Sequence, residues 1–345
     1  MIIGLNSAER FIRIIWNLSN IDGEHPIGVL LVAPPGVGKS YLLTSFKGEN
    51  FIILSDLTGH GLEKILAELQ AKARGYVVLP DLIRAFTRHT TQALFAVLNM
   101  CLEEGITRIE RADIRFQSET PIRFGFIGAI TPTELKKREK DMISVGLLSR
   151  LLLFSFGYTK EDAMRIIDYV AKNGMPKPEM KIPLEIHKPV PVSIPDEITP
   201  FVKKIGTLLA KLKQDRYPFR SIKLVRRLLK GSALCHKRKV VNIDDCITIY
   251  SLLPFLIDTG TDLDFRLLFK IANRSLANKP TSRKELIEKA SMYSKETVTE
   301  RLNFLESKRL ITQDENGLYH INLLEDIETH NGGTNYENNK LYQFD

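Results

Sequence analysis

The sequence predicts a three-layer α/β core with a largely parallel sheet, then an all-helical segment and a small mixed module at the C-terminal end. Two observations carry the core. Apolar, β-branched runs alternate with segments of helical periodicity between residues 28 and 156, and the first run, Gly28-Val-Leu-Leu-Val32, passes through a glycine-containing turn into a helix-forming segment. A third observation limits the sheet: residues 200–257 keep helical periodicity without any strand signal.

The 345 residues exceed what one hydrophobic core usually holds, so two or three domains are expected. Apolar content of 43% and charged content of 26% are those of a soluble globular chain. No apolar run approaches bilayer length and the N-terminus lacks a signal peptide's layout, so the expectation is a cytoplasmic protein with no membrane partner. Cys101, Cys235 and Cys246 are odd in number and lack ligand spacing; they read as reduced thiols, with neither a disulfide framework nor a zinc site.

In order along the chain, residues 2–18 read as a turn and an amphipathic helix with Ile12, Ile15 and Trp16 on one side. After the glycine turn and its helix come a strand at 50–57, a helix at 61–73, a strand at 76–82 and a helix at 91–104 that Gly105 stops. Residues 106–116 alternate apolar and charged side chains around a short polar break, a hairpin signature. Residues 121–130 form a further buried strand and 147–156 carry the last. The core thus spans residues 1–172.

Prolines at 176, 178, 183, 189, 191, 195 and 200 exclude a helix across 173–199, which is a linker or an extended crossing. Residues 200–258 form the all-α segment. Residues 262–323 read helix (264–273), helix (282–289), turn, helix (295–308), then two short strands around Asp314 and Gly317, which is the order of a winged helix. The polar tail, 324–345, is expected to be disordered.

The turn after the first strand is Ala33-Pro34-Pro35-Gly36-Val37-Gly38-Lys39-Ser40, the pattern of a phosphate loop. Gly36 and Gly38 allow backbone conformations closed to other residues, so consecutive N–H groups can face a phosphate chain, and the helix behind adds its dipole. Candidate nucleotide-binding residues are Pro35, Gly36, Val37, Gly38, Lys39, Ser40 and Tyr41. Lys39 would reach the β and γ phosphates, and the Ser40 hydroxyl would ligate Mg²⁺, so the expected cofactors are ATP and Mg²⁺. Ala33 stands where the pattern opens with Gly, a slot that takes a small residue. Asp81 ends the strand YVVLPD, where an acid at the C-terminal edge of a parallel sheet lies beside the loop and can hold the metal.

In this order the motifs resemble those of the AAA+ ATPases, whose loop often reads GPPGTGKT, and the resemblance covers residues 1–258. It implies a P-loop NTPase core with a helical lid. It also implies that Thr131, at the end of FGFIGAI, is the polar residue that senses the γ phosphate, and that Arg150 in GLLSRLLLFSF is the arginine finger acting on a neighbour's nucleotide. Arg220 in PFRSIKLVRRLL would be the lid arginine. A finger acting in trans implies a homo-oligomer, a hexameric ring.

One departure bears on rate. The family's metal-binding acid is normally followed by a Glu that polarises the attacking water, whereas Asp81 is followed by Leu82. Glu103 or Glu104 would be a substitute base, or hydrolysis is slow and the protein is an ATP-dependent switch; a positioned base is worth roughly 10²–10⁴ in rate.

The hairpin at 106–116 resembles the insertion of the presensor-1 hairpin branch, which includes RuvB-type branch-migration motors, minichromosome-maintenance helicases and MoxR-like chaperones. DNA is the partner this implies first, with a protein partner as the alternative. Arg108, Arg111 and Arg115 lie on the hairpin beside Glu110, Asp113 and Glu119. The chain's net charge is +8, and residues 201–240 hold thirteen Lys and Arg against one acid, Asp215. The 281–323 region is neutral, with Glu296 and Glu300 on its would-be recognition helix, so base reading in a major groove is disfavoured.

Overall fold

Five short segments without a single charged side chain, GVLLV, FII, YVVL, GFIGAI and LLLFS, pair into one all-parallel sheet. The computed structural model describes residues 5–71, 74–86, 91–110, 114–158, 160–174, 182–184, 188–213, 218–256, 263, 267–268, 270–271, 274–275, 279–290, 293–307 and 311–321. Arg111, the tail and much of the 264–273 segment lie outside these residues.

The first elements are α1 (Asn6–Leu18), β1 (Gly28–Val32), α2 (Lys39–Ser45), β2 (Phe46–Lys47), β3 (Phe51–Ile53), α3 (Gly59–Lys64), α4 (Leu66–Ala71) and β4 (Tyr76–Leu79). Then follow α5 (Ile83–Phe86), α6 (Thr91–Leu102), β5 (Ile106–Glu110), β6 (Arg115–Ile122), β7 (Gly125–Ile130), α7 (Pro132–Ser144), β8 (Leu151–Ser155) and α8 (Lys160–Asn173). The remainder is β9 (Ile182–Pro183), α9 (Thr199–Leu212), α10 (Phe219–Cys235), α11 (Ile243–Leu252), β10 (Thr281–Ser282), α12 (Arg283–Lys289), α13 (Lys295–Ser307), β11 (Ile311–Gln313) and β12 (Leu318–Ile321).

The sheet order is β3-β4-β7-β1-β8, so β1, first in the chain, lies between the last two strands formed. Side chains of alternate parity serve opposite faces. Leu30, Val32, Val77, Leu79, Phe126 and Ile130 join a core with Leu62, Leu69, Leu94, Leu98 and Leu135 from α3, α4, α6 and α7. On the other face α1 covers the sheet: Phe11 stacks on Phe154 at 4.1 Å, and the Tyr76 hydroxyl donates to the Ile15 carbonyl at 2.8 Å. Gly125 is needed there, because a Cβ would stand 2.1 Å from the Tyr76 ring. Helices on both faces of a parallel sheet make the α/β three-layer arrangement.

Two differences from the sequence reading have local causes. The apolar run at 121–130 divides because Ile122 still pairs with Ile106 in the hairpin, whereas Gly125 onward pairs with β4 and β1. The run from 147 begins with a 3₁₀ turn, Leu148–Arg150, and becomes strand only at Leu151. Of the two readings of the proline-rich stretch, its described residues follow the extended crossing: β9 pairs with β2, Val190 bridges Ile21 and Ser193 bridges Val240, with Leu184, Val192 and Ile198 buried.

By contacts the chain divides into two units, residues 1–202 with 223–258, and residues 203–222 with 259–345. A boundary between the units falls within α10, inside the segment 200–258. From Lys223 onward α10 packs on α1, where a Cβ at Gly231 would be 2.7 Å from the Ile14 carbonyl, and Phe255 stacks on Phe154 at 5.3 Å. The second unit contains the antiparallel sheet β10-β12-β11 with α12 and α13; buried Tyr319 accepts from Arg283 Nη2 at 2.7 Å. Among the described residues no helix is long and apolar enough to cross a membrane.

Candidate nucleotide site

The C-terminal ends of β1, β7 and β4 bring three connections side by side. Ala33 N donates to Ile130 O at 3.2 Å, so the glycine turn after β1 begins next to Thr131, and Leu82 N donates to Ala129 O at 2.9 Å, which sets Asp81 at the same edge. Ligands of open α/β sheets bind in this location. Gly36 and Gly38 take φ of 80° and 82°, the left-handed region that favours glycine, and so turn the loop as the sequence requires.

Lys39 opens α2, and its Nζ donates to the carbonyls of Ala33 at 2.6 Å and Pro34 at 2.8 Å. Burial pushes its pKa below the ordinary lysine value, and the Asp81 carboxylate acts in the opposite sense. Ser40 donates to the carbonyl of Pro80, the residue before Asp81, at 3.1 Å. Asp81 Oδ1 accepts from Ile83 N at 3.2 Å. One ammonium, one hydroxyl and one carboxylate thus converge on a turn of left-handed glycines, a donor set that fits a metal-bound polyphosphate. Among the described residues no cluster of three or more His, Cys, Asp or Glu could hold a metal. A cation here would rest on Ser40, Asp81 and phosphate oxygens.

The other expected residues are distributed differently. The Thr131 hydroxyl caps α7, accepting from Glu134 N at 3.3 Å, with Pro132 at the first helical position. Arg220 is exposed in the first turn of α10 and belongs to the second unit, so it is not among the groups that the first unit gathers. Pro35, Val37 and Tyr41 lie on the loop and the first turn of α2.

Arg150 is at the opposite edge of the sheet. It precedes β8, whose Leu151 pairs with Gly28 at the start of β1. The five residues of β1 separate that edge from the loop, about 16 Å at 3.3 Å per residue. Glu103 Oε2 accepts from Arg150 Nη2 at 2.8 Å, so Glu103 is at that far edge too, with Glu104 the next residue. Neither is therefore beside Asp81, where the resemblance would call for a base. Leu82 offers no base position either: it is 2% exposed and belongs to the same core as Leu79, Ala85, Phe126 and Ile130.

Two residues at the loop were not singled out from sequence. The Tyr158 hydroxyl, three residues beyond β8, donates to Val37 O at 2.8 Å. Leu5, 2% exposed, would be 3.7 Å from a Cβ at Gly38, and Tyr158 Oη 3.4 Å. The only signal in the sequence was an aromatic residue just past the last strand.

The charge at 201–240 is partly spent on structure. Arg227 and Lys230 pair with Glu24 at 3.1 and 3.0 Å, and Arg238 pairs with fully buried Asp245 at 2.8 Å. Lys223, Arg226, Lys237 and Lys239 are exposed in the first unit, as are Lys203, Lys204 and Arg220 in the second. On the hairpin Arg108 pairs with Glu110 at 2.5 Å, and Arg115 is exposed.

Comparison of the chain with models of protein families finds no match, and comparison with curated proteins finds none.

Proposed function

We propose that the chain is a P-loop ATPase of the AAA+ type that binds ATP with Mg²⁺ and turns it over at the subunit interfaces of a homo-oligomeric ring, acting on DNA. The observation that carries this reading is the convergence of Lys39, Ser40 and Asp81 on the left-handed glycine turn at the C-terminal edge of the parallel sheet.

Bound Mg·ATP would supply an activated phosphoryl group whose charge the metal partly neutralises. The loop N–H groups and Lys39 bind phosphate oxygens, Ser40 and Asp81 hold the ion, and Thr131 faces the γ phosphate. Arg150 serves a neighbouring subunit: it is one strand length from its own loop, and a finger arginine stabilises transition-state charge by a factor of roughly 10³ or more. Arg220 keeps the role of lid arginine that the resemblance implies. In the second unit, a short strand, two helices and two further strands, the three strands joined in one antiparallel sheet, fit a winged helix that grips a DNA backbone or a protein. The exposed cations of 201–240 favour a polyanion.

Buried Leu82 favours a second reading, an ATP-gated DNA-binding switch with slow hydrolysis.

Steady-state phosphate release, alone and with single-stranded, duplex and four-way-junction DNA, tests both, with Lys39→Ala as the blank. Stimulation by DNA above the blank is expected of a motor. Turnover at the blank with ATP still bound leaves the switch, stimulation by protein but not DNA redirects the partner, and failure to bind ATP overturns both readings.

A further inference from the structure

Arg150 is held by a set of contacts that serve its guanidinium and little else. Its Nη2 donates to Glu103 Oε2 at 2.8 Å and its Nη1 donates to Gly146 O at 2.8 Å, so the two arms of the fork are fixed from two sides. Each contact has its own support. The Glu103 backbone carbonyl accepts from Arg123 Nε at 2.9 Å, which pins the end of α6. Asn99, one turn earlier on α6, donates through Nδ2 to Val145 O at 2.6 Å and ties the same helix to the segment that carries Arg150. Gly146 has φ of 72°, and a Cβ there would stand 2.6 Å from Arg150 Nη1, so this position is shaped for the arginine's close approach.

We propose that Glu103 is a positioning residue for Arg150, presenting its guanidinium at the subunit surface for the γ phosphate bound by a neighbouring copy of this chain. This rests on the reading of Arg150 as a finger acting in trans. Glu103 itself touches no reacting atom. Arg150 and Glu103 are 26% and 43% exposed, so the pair is at the surface, and each Nη of the arginine keeps a second N–H for a phosphate after bonding Glu103 and Gly146. The carboxylate holds an otherwise flexible side chain in one orientation, and the ordering cost is met before the neighbour docks. The same contact explains why Glu103, just past the end of α6, is not beside Asp81.

The test uses the full chain and ATP, with phosphate release as the assay. Glu103→Gln keeps shape and loses the charge, so turnover is expected to fall about tenfold, the loss of one charge-assisted hydrogen bond. Arg150→Ala should fall further, and the double variant should match Arg150→Ala alone. Affinity for a fluorescent ATP analogue should be unchanged in Glu103→Gln, because its own loop is intact. Mixing Glu103→Gln with Lys39→Ala subunits, which carry an intact Glu103–Arg150 pair, should restore turnover above either alone; a merely structural defect would not be repaired in this way. Thermal melts of each variant check folding. If Arg150→Ala lowers turnover and Glu103→Gln does not, the positioning role is overturned and the finger stands. If Arg150→Ala changes nothing, both are overturned. Should wild-type turnover equal the Lys39→Ala blank, ATP-dependent self-association by sedimentation is the readout, with the same ranking expected and the same two outcomes overturning it.

Discussion

If the resemblance to AAA+ ATPases is followed, replacing Leu82 with Glu supplies a base beside Asp81; the structure makes the opposite prediction. Leu82 is 2% exposed, its N–H is bonded to Ala129 O at 2.9 Å, and its side chain is part of the core that holds Leu79, Ala85, Phe126 and Ile130. A carboxylate there would enter the core and not the space beside Asp81. Losing the buried leucine costs about 2–3 kcal/mol of transfer free energy, and burying an unsatisfied carboxyl adds roughly 1–3 kcal/mol even when it protonates. The total of roughly 3–6 kcal/mol is a large part of the ~5–15 kcal/mol that holds a domain folded. Leu82→Ala, which leaves a cavity without a polar group, should cost about 2–5 kcal/mol. Urea unfolding gives both, and Leu82→Glu should have the lower midpoint. The introduced glutamate is neutral when folded, so its folded pKa lies above the unfolded value of about 4.3. Its deficit against wild type should therefore be smallest near pH 4 and grow as pH rises. A Leu82→Glu variant with an unchanged midpoint and faster phosphate release would refute the assignment of this side chain to the core.

Tyr158→Phe removes the bond to Val37 O and keeps the ring, so stability should change by under about 1.5 kcal/mol; KM for ATP should rise several-fold with little change in kcat, measured by phosphate release across ATP concentrations. Glu24→Gln leaves Arg227 and Lys230, 17% and 18% exposed, without their carboxylate; a loss of about 2–3 kcal/mol is expected in urea unfolding, against under about 1 kcal/mol for Glu110→Gln at the exposed Arg108 pair. His25 is held below its ordinary pKa by burial first, then by Arg123, Arg227 and Arg74, with Glu24 opposing. The folded state prefers it neutral, so its contribution to stability is present above about pH 6.5 and is lost as pH falls through the folded value. His25→Gln should flatten that part of a stability profile recorded between pH 7.5 and 5.

The features legible in the sequence are those whose cause is local. Gly36 and Gly38 announce a left-handed turn because no other residue adopts it cheaply, and the loop position follows from the apolar strand before it. Asp81 was legible for a related reason: the end of any strand in a parallel sheet is at the edge where the loop lies. Glu103 was not. Spacing along the chain does not say at which edge of the sheet a helix ends; that follows from the pairing of Leu151 with Gly28 and from the bond between Arg150 and Glu103. The basic run at 201–240 was legible only in part, for the same physical reason. A window of sequence counts its own charges, whereas the acids that neutralise Arg227, Lys230 and Arg238 are Glu24, roughly two hundred residues away in the chain, and Asp245, just past the window. What is left exposed after those pairs form, Lys223, Arg226, Lys237 and Lys239 in the first unit, is a smaller charge on a defined surface, and it is that remainder which a polyanion would meet.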